Sequence, residues 1–121
     1  MRTKKTIFSQ IMSLVSRYDF QKCVDRYKGD WHAKTLTCID QFKIMSFAQF
    51  TDRSSLRDIE MTLEFCGKGL YHAGLRTVPK STLAEANEKR NWMIYRDFAK
   101  VLIKWAKELY RDEYFRLCLN E

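Results

Sequence analysis

A chain of 121 residues, 45% hydrophobic and 14% aromatic, carries enough apolar matter for one domain around one core, which excludes a disordered chain. One proline and four glycines leave few helix breakers. The formal charge of +7 and a pI near 9.3 say nothing about fold but favour a polyanionic partner, nucleic acid before an acidic membrane surface.

The spacing predicts a first helix over residues 6–16, with Ile7, Ile11, Leu14 and Val15 on one face behind a cationic lead-in of Arg2, Lys4 and Lys5. A second, short helix follows from Asp19, whose side chain suits a cap. It turns Phe20, Cys23, Val24 and Tyr27 inward and stops at Lys28-Gly29. After the loop GDWHAKT, the run Thr37-Cys38-Ile39-Asp40 resembles a capping box and opens a third helix. Ile39, Phe42, Met45, Ser46 and either Gln49 or Phe50 are its expected inward residues, and it ends near Thr51-Asp52. Ser55-Leu56-Arg57-Asp58 repeats the capping pattern and starts a fourth helix with Leu56, Ile59 and Leu63 inward, broken by CGKG at 66–69. LYHAGLRTVP is a connector with room for one helical turn. Pro79, with its fixed φ, is expected to start the next helix.

The last helix, about 91–111, has a broad apolar stripe of Trp92, Tyr95, Phe98, Ala99, Leu102, Ile103, Trp105, Ala106 and Leu109. Beside it runs a basic ridge of Arg96, Lys100, Lys104 and Lys107. No alternating run reads as a strand. The expected fold is all-α: a compact single-domain bundle of five to six helices with a helix-turn-helix-like element and a long C-terminal helix.

Cys23, Cys38, Cys66 and Cys118 form no CxxC pair, and each lies on or beside an apolar face, which reads as buried, reduced thiol. With only His32 and His72 to assist, no zinc site is expected. MRTKK precedes IFSQIMSLVS, which has frequent polar residues and no small-residue cleavage site, and no apolar run approaches the roughly 20 residues that span a bilayer. A cytoplasmic setting without membrane contact is expected.

The stretch KSTLAEANEKRNW (80–92) carries the candidate site. On a helix begun at Pro79, Val78, Leu83 and Ala86 point toward a core shared with the fourth and last helices, leaving Lys80, Ser81, Thr82, Glu85 and Lys89 outward. Hydroxyls and open N–H groups at a helix start suit phosphate or base edges, and alanines allow close approach, as in a recognition helix. The same residues also suit an ordinary solvated helix, and Glu85 and Glu88 would repel DNA. Charge tips the balance. Between residues 76 and 107 stand Arg76, Lys80, Lys89, Arg90, Arg96, Lys100, Lys104 and Lys107, eight cations, against the three acids Glu85, Glu88 and Asp97. Lys80, Ser81 and Thr82 are therefore expected to reach base edges, and Lys89, Arg90, Arg96 and Lys100 to grip phosphates, with all seven side chains exposed.

Three segments then resemble the N-terminal domain of bacterial insertion-sequence transposases of the DDE, RNase H-like type. They are KTIFSQIMSLVSRYDFQKCVDRYKGD, TCIDQFKIMSFAQFTDRSSLRDIE, and LYHAGLR followed by STLAEANEKRNWMIYRDFAKVLIKWAKELY. The resemblance implies a helical domain that binds double-stranded DNA at the transposon's terminal inverted repeats, placed ahead of a catalytic domain. It also implies that the three catalytic carboxylates and their two divalent metals belong to that catalytic domain, beyond Glu121. On this basis the chain is expected to be truncated before the catalytic core, to have no catalytic residue, cofactor or metal of its own, and not to cut DNA. Asp112, Glu113 and Glu121 read as a solvated terminus. The alternative is a protein-interaction module pairing two protomers as a homodimer, or docking on the catalytic domain, through Trp92, Trp105, Tyr110, Tyr114 and Phe115.

Overall fold

Four helices of this chain begin at a hydroxyl side chain that accepts a hydrogen bond from the N–H three residues on. Thr6 accepts from Ser9, Ser16 from Asp19, Thr37 from Asp40 and Ser55 from Asp58. The computed structural model describes residues 6–111. Among these it contains seven α-helices and no strand: α1 Ile7–Ser13, α2 Arg17–Arg26, α3 Cys38–Phe50, α4 Leu56–Cys66, α5 Gly69–Ala73, α6 Lys80–Lys89 and α7 Met93–Leu109. The caps at Thr37 and Ser55 are as expected. Asp19 is not the cap of α2. Ser16 is, and Asp19 sits in the first turn, where its carboxylate faces the positive end of the helix dipole. The connector after α4 holds α5, a seventh element of five residues.

A single left-handed residue follows each of α2 and α3. Lys28 takes φ +53 after α2, and the Gly29 N–H reaches back to the Val24 carbonyl at 2.9 Å. Asp52 does the same after α3 at φ +58, with Arg53 N–H on the Ala48 carbonyl at 2.9 Å. Gly29 is needed for a different reason from its turn. A Cβ there would lie 2.5 Å from Ile94 Cδ1 and 2.8 Å from Cys38 Sγ, both fully buried, so α7 and α3 close over a bare backbone.

Two apolar clusters fill the interior, and α3 contributes to both. Leu36, Ile44, Ala48, Ile59, Leu63, Leu70, Leu83 and Ala86 form the first, between α3, α4, α5 and α6. Phe20, Cys23, Val24, Cys38, Ile94 and Phe98 form the second, where α2 and α7 pack on each other and on α3. Phe98 meets Phe20 edge-on at 5.1 Å and Phe42 at 5.5 Å, a geometry that adds to plain burial.

This division corrects several expectations about faces. Leu83 and Ala86 of α6 join α4, as foreseen, but α7's buried residues belong to the other cluster. On α3 the fully buried set is Cys38, Gln41, Ile44 and Ala48. Ile39, Phe42, Met45 and Ser46 are half-buried, and Gln49 and Phe50 are exposed, because a helix covered on several sides has no single apolar stripe to read. On α1, Ile7 and Leu14 are exposed, while Phe8 packs on Phe47 at 5.6 Å. The helix ends at Ser13, so Leu14 falls out of the expected spacing. On α7 the buried residues are Ile94 and Phe98, and Trp92, Ala99, Ile103, Ala106 and Leu109 are exposed. In the far half of α7, Val101 and Leu102 still pack against the second cluster and Trp105 is half-buried, so only part of the stripe faces solvent.

Two polar networks centred on Gln41 and Asp97 tie helices together. Gln41, 4% exposed, donates from Nε2 to Asn87 Oδ1 at 2.6 Å, and its Oε1 accepts from Tyr95 Oη at 2.5 Å and Arg90 Nη1 at 3.2 Å. Burial raises the Tyr95 pKa, so its hydroxyl stays a donor. Asp97 Oδ2 accepts from Tyr27 Oη at 2.7 Å and Arg26 Nη1 at 2.6 Å, pinning the end of α2 to α7, and Oδ1 accepts from Arg96.

Gln41→Leu keeps the volume but strips Asn87, Arg90 and Tyr95 of a buried partner. The expected loss, read by urea unfolding, is about 1–3 kcal/mol. The hydrogen bond from Tyr27, with those from Arg26 and Arg96, holds the Asp97 carboxyl at about 2, below its ordinary 3.8. A depressed carboxylate contributes stability above its unfolded pKa and loses it as the folded pKa is approached. Melting temperature should therefore fall as pH drops from 3.8 toward about 2, and Asp97→Asn should lessen that fall while lowering stability at neutral pH.

Candidate functional site

The seven candidate residues occupy three places along α6, the bend after it and α7. Lys80 and Ser81 are exposed in the first turn of α6. Pro79 is the N-cap, with φ −61° and ψ 144°, so the helix starts one residue later than expected. The Lys80 N–H is not open, because it donates to the Glu60 carboxylate from α4, which occupies the position an anion would take at this helix start. Thr82 is half-buried. Lys89 is exposed and forms an i,i+4 pair with Glu85 at 2.7 Å.

Arg90 departs most from expectation. The chain leaves the helix here with ψ 144°, and the half-buried guanidinium donates to the Leu36 carbonyl and to Gln41 Oε1. A charge held this way belongs to the interior, not to a phosphate. Arg96 is also half-buried. It pairs with Asp97 at 3.1 Å, donates to Tyr27 Oη at 3.4 Å and lies 5.0 Å from the centre of the Trp92 ring. The expectation that all seven side chains are exposed therefore fails for Thr82, Arg90 and Arg96.

Lys100 is exposed and continues into Lys104, Lys107 and Arg111, which line a shallow groove around Ile103 and Glu108. Among the described residues none of these four cations takes part in an ion pair or side-chain hydrogen bond. Lys100 to Lys107 spans about 10 Å of helix, so their charges form a short row on one side of the domain.

A second cationic place, not singled out in the sequence, lies between the loop after α2 and the outer side of α6. Lys28, Lys34, Lys89 and Arg90 line this cleft together with Trp31 and His32. Trp31 is 65% exposed, and its ring stacks on His32 at 5.2 Å and 18°. The available signal was a tryptophan in a polar loop flanked by lysines. Its meeting with α6, 50 residues on, has no trace in local pattern.

Among the described residues no three His, Cys, Asp or Glu side chains gather as a metal-ligand set, and no helix is long and apolar enough to cross a membrane. Cys23 and Cys38 are buried free thiols, and burial, with Asp30 beside it, pushes the Cys38 thiol up to about 12. Cys66 is exposed at the end of α4, contrary to expectation. Arg2, Lys4, Lys5, Asp112, Glu113, Tyr114, Phe115, Cys118 and Glu121 lie outside the described residues.

No curated protein and no solved structure matches the chain. One family does match, over residues 3–76, which take in α1 to α5 and stop short of α6 and α7. The chain belongs to the family described as a domain of unknown function, DUF4372.

Proposed function

We propose that this domain binds double-stranded DNA as the end-recognition part of an insertion-sequence transposase of the DDE type, in a cytoplasmic setting. The observation that carries the DNA reading is the row Lys100, Lys104 and Lys107. These cations are exposed and without an ion pair among the described residues, and they outnumber the one acid of their groove, Glu108, so they gain on meeting phosphates and releasing counterions. Lys89 adds a charge elsewhere, in the cleft beside Trp31. Its pair with Glu85 is solvent-exposed and weak, and exchanges readily for a phosphate. Arg90 drops out of the phosphate set, and Arg96 contributes through the part of its charge that Asp97 leaves uncompensated. Sequence readout falls to Lys80 and Ser81, with Thr82 at the margin, on α6 acting as the recognition helix of a helix-turn-helix-like pair with α4. Because Glu60 occupies the helix end, phosphate there would be held by the Lys80 ammonium rather than by backbone N–H groups. Strand cleavage and its two divalent metals belong, in this proposal, to a separate RNase H-like catalytic domain, and this domain is not an enzyme.

A second reading has its own observation. Ile103, Leu109 and Tyr110 are 54%, 81% and 52% exposed toward the C-terminal end of α7, which suits pairing of two protomers. Salt separates the two, since phosphate binding weakens steeply with ionic strength and an apolar interface hardly responds.

The test is a titration of transposon-end and random duplexes at two salt concentrations. Alanine at Lys100, Lys104 and Lys107 should weaken binding to both duplexes and lower the salt slope by about one unit per lost contact. Alanine at Lys80 and Ser81 should cost about 1–3 kcal/mol on the specific duplex only. Arg90→Ala should instead lower the melting temperature. Binding that ignores salt, or a slope unchanged in the triple lysine variant, would refute the DNA reading.

A further inference from the structure

Between the end of α2 and the start of α3 the chain does something costly. It turns at His32 with φ +64, a conformation that residues bearing a side chain adopt reluctantly, and leaves Trp31 65% exposed. The loop around it is nevertheless held at several points. Gly29 N–H is fixed to Val24 and its Cα pressed against Ile94, Asp30 Oδ1 accepts the Cys38 N–H at 2.8 Å, and the Leu36 carbonyl accepts from Arg90. A large indole stacked on an imidazole is thus presented to solvent on a fixed base, at the mouth of the cleft that Lys28, Lys34 and Lys89 line.

We propose that Trp31 and His32 form a stacking platform for an unpaired nucleobase, with Lys34 and Lys89, which line the same cleft, holding the phosphates on either side of it. This deepens the DNA reading and rests on it: the cationic rows take the duplex backbone, and the platform takes a base outside the double helix, at a frayed or extended end. The chemistry is specific to a flat, π-faced ligand. A base stacks on an aromatic ring whatever its sequence, and cations flanking an aromatic ring are the usual companions of single-stranded nucleic acid. The Lys28 ammonium lies 5.2 Å from the Trp31 ring centre, an exposed and weak contact that a base can displace, freeing that charge for phosphate as well. The cleft's acid, Glu85, is already paired with Lys89.

The experiment compares a blunt duplex with one of equal phosphate count carrying a short unpaired end. The wild-type domain should bind the second about ten-fold more tightly. Trp31→Ala should remove that preference while leaving blunt-duplex affinity and the melting temperature unchanged, and Trp31→Phe should keep part of it. Tryptophan emission provides a readout independent of any destabilised variant. A single-stranded oligonucleotide should quench the wild-type signal, and the quenching should disappear in Trp31→Phe, which retains Trp92 and Trp105. Equal affinity for the two duplexes, a preference that survives Trp31→Ala, or emission unaltered by the oligonucleotide would each overturn the platform with duplex binding intact. Failure to bind either duplex at low salt would instead remove the DNA reading, and the platform with it.

Discussion

One buried amide holds this domain together. Gln41 stands on α3 between the two apolar clusters, where an unpaired polar group would cost more than its hydrogen bonds yield, and it is satisfied from both sides. Asn87 and Arg90 come from α6 and the bend after it, Tyr95 from α7. The partners must reach Gln41 together, so the angle between α6 and α7 is set from the interior. The bend at Arg90 follows from this, since a helix continued through 90–92 would carry the guanidinium away from both Gln41 and the Leu36 carbonyl.

The cations divide by the contacts they make. Arg26, Arg53, Arg76 and Arg96 are in ion pairs with Asp97, Asp58, Asp40 and Asp97, and Arg90 is engaged with Gln41 and a carbonyl. Guanidinium, planar and with five donors, suits such fixed multipoint contacts. Among the described lysines only Lys89 has an ion pair. Most of the charges left facing outward without an ion pair are therefore lysines, among them the row on α7 and those around the cleft beside Trp31. A surface of that kind attracts polyanions in general, and discrimination has to come from other groups, which is why the first turn of α6 and the indole carry the specific parts of the proposals.

The family match covers residues 3–76, yet that segment does not complete its own interior. Leu83 and Ala86 close the first cluster, Ile94 and Phe98 close the second, and all three partners of Gln41 lie beyond residue 76. The far half of α7 leaves Ile103 and Leu109 exposed, with Tyr110 just after it.

Much of the helical plan was legible because it rests on short-range chemistry. Thr37 and Ser55 announce helix starts through a hydroxyl three residues from its N–H, Lys28-Gly29 marks the stop of α2, and the periodic apolar residues of α2 and α4 name their buried faces. The net positive charge toward the C-terminus was equally plain. Only the tertiary structure decided which face of α3 is innermost, that α7 packs on α2 instead of sharing a core with α4 and α6, and which cations remain available. Arg90 and Lys100 look alike in the sequence. One is held by a carbonyl 54 residues earlier and the other by nothing among the described residues, and Trp31 gains its cationic surroundings from α6. A cap depends on residues three apart and can be read locally. A buried guanidinium or a cleft depends on which distant surfaces meet, and that is settled by packing the whole chain.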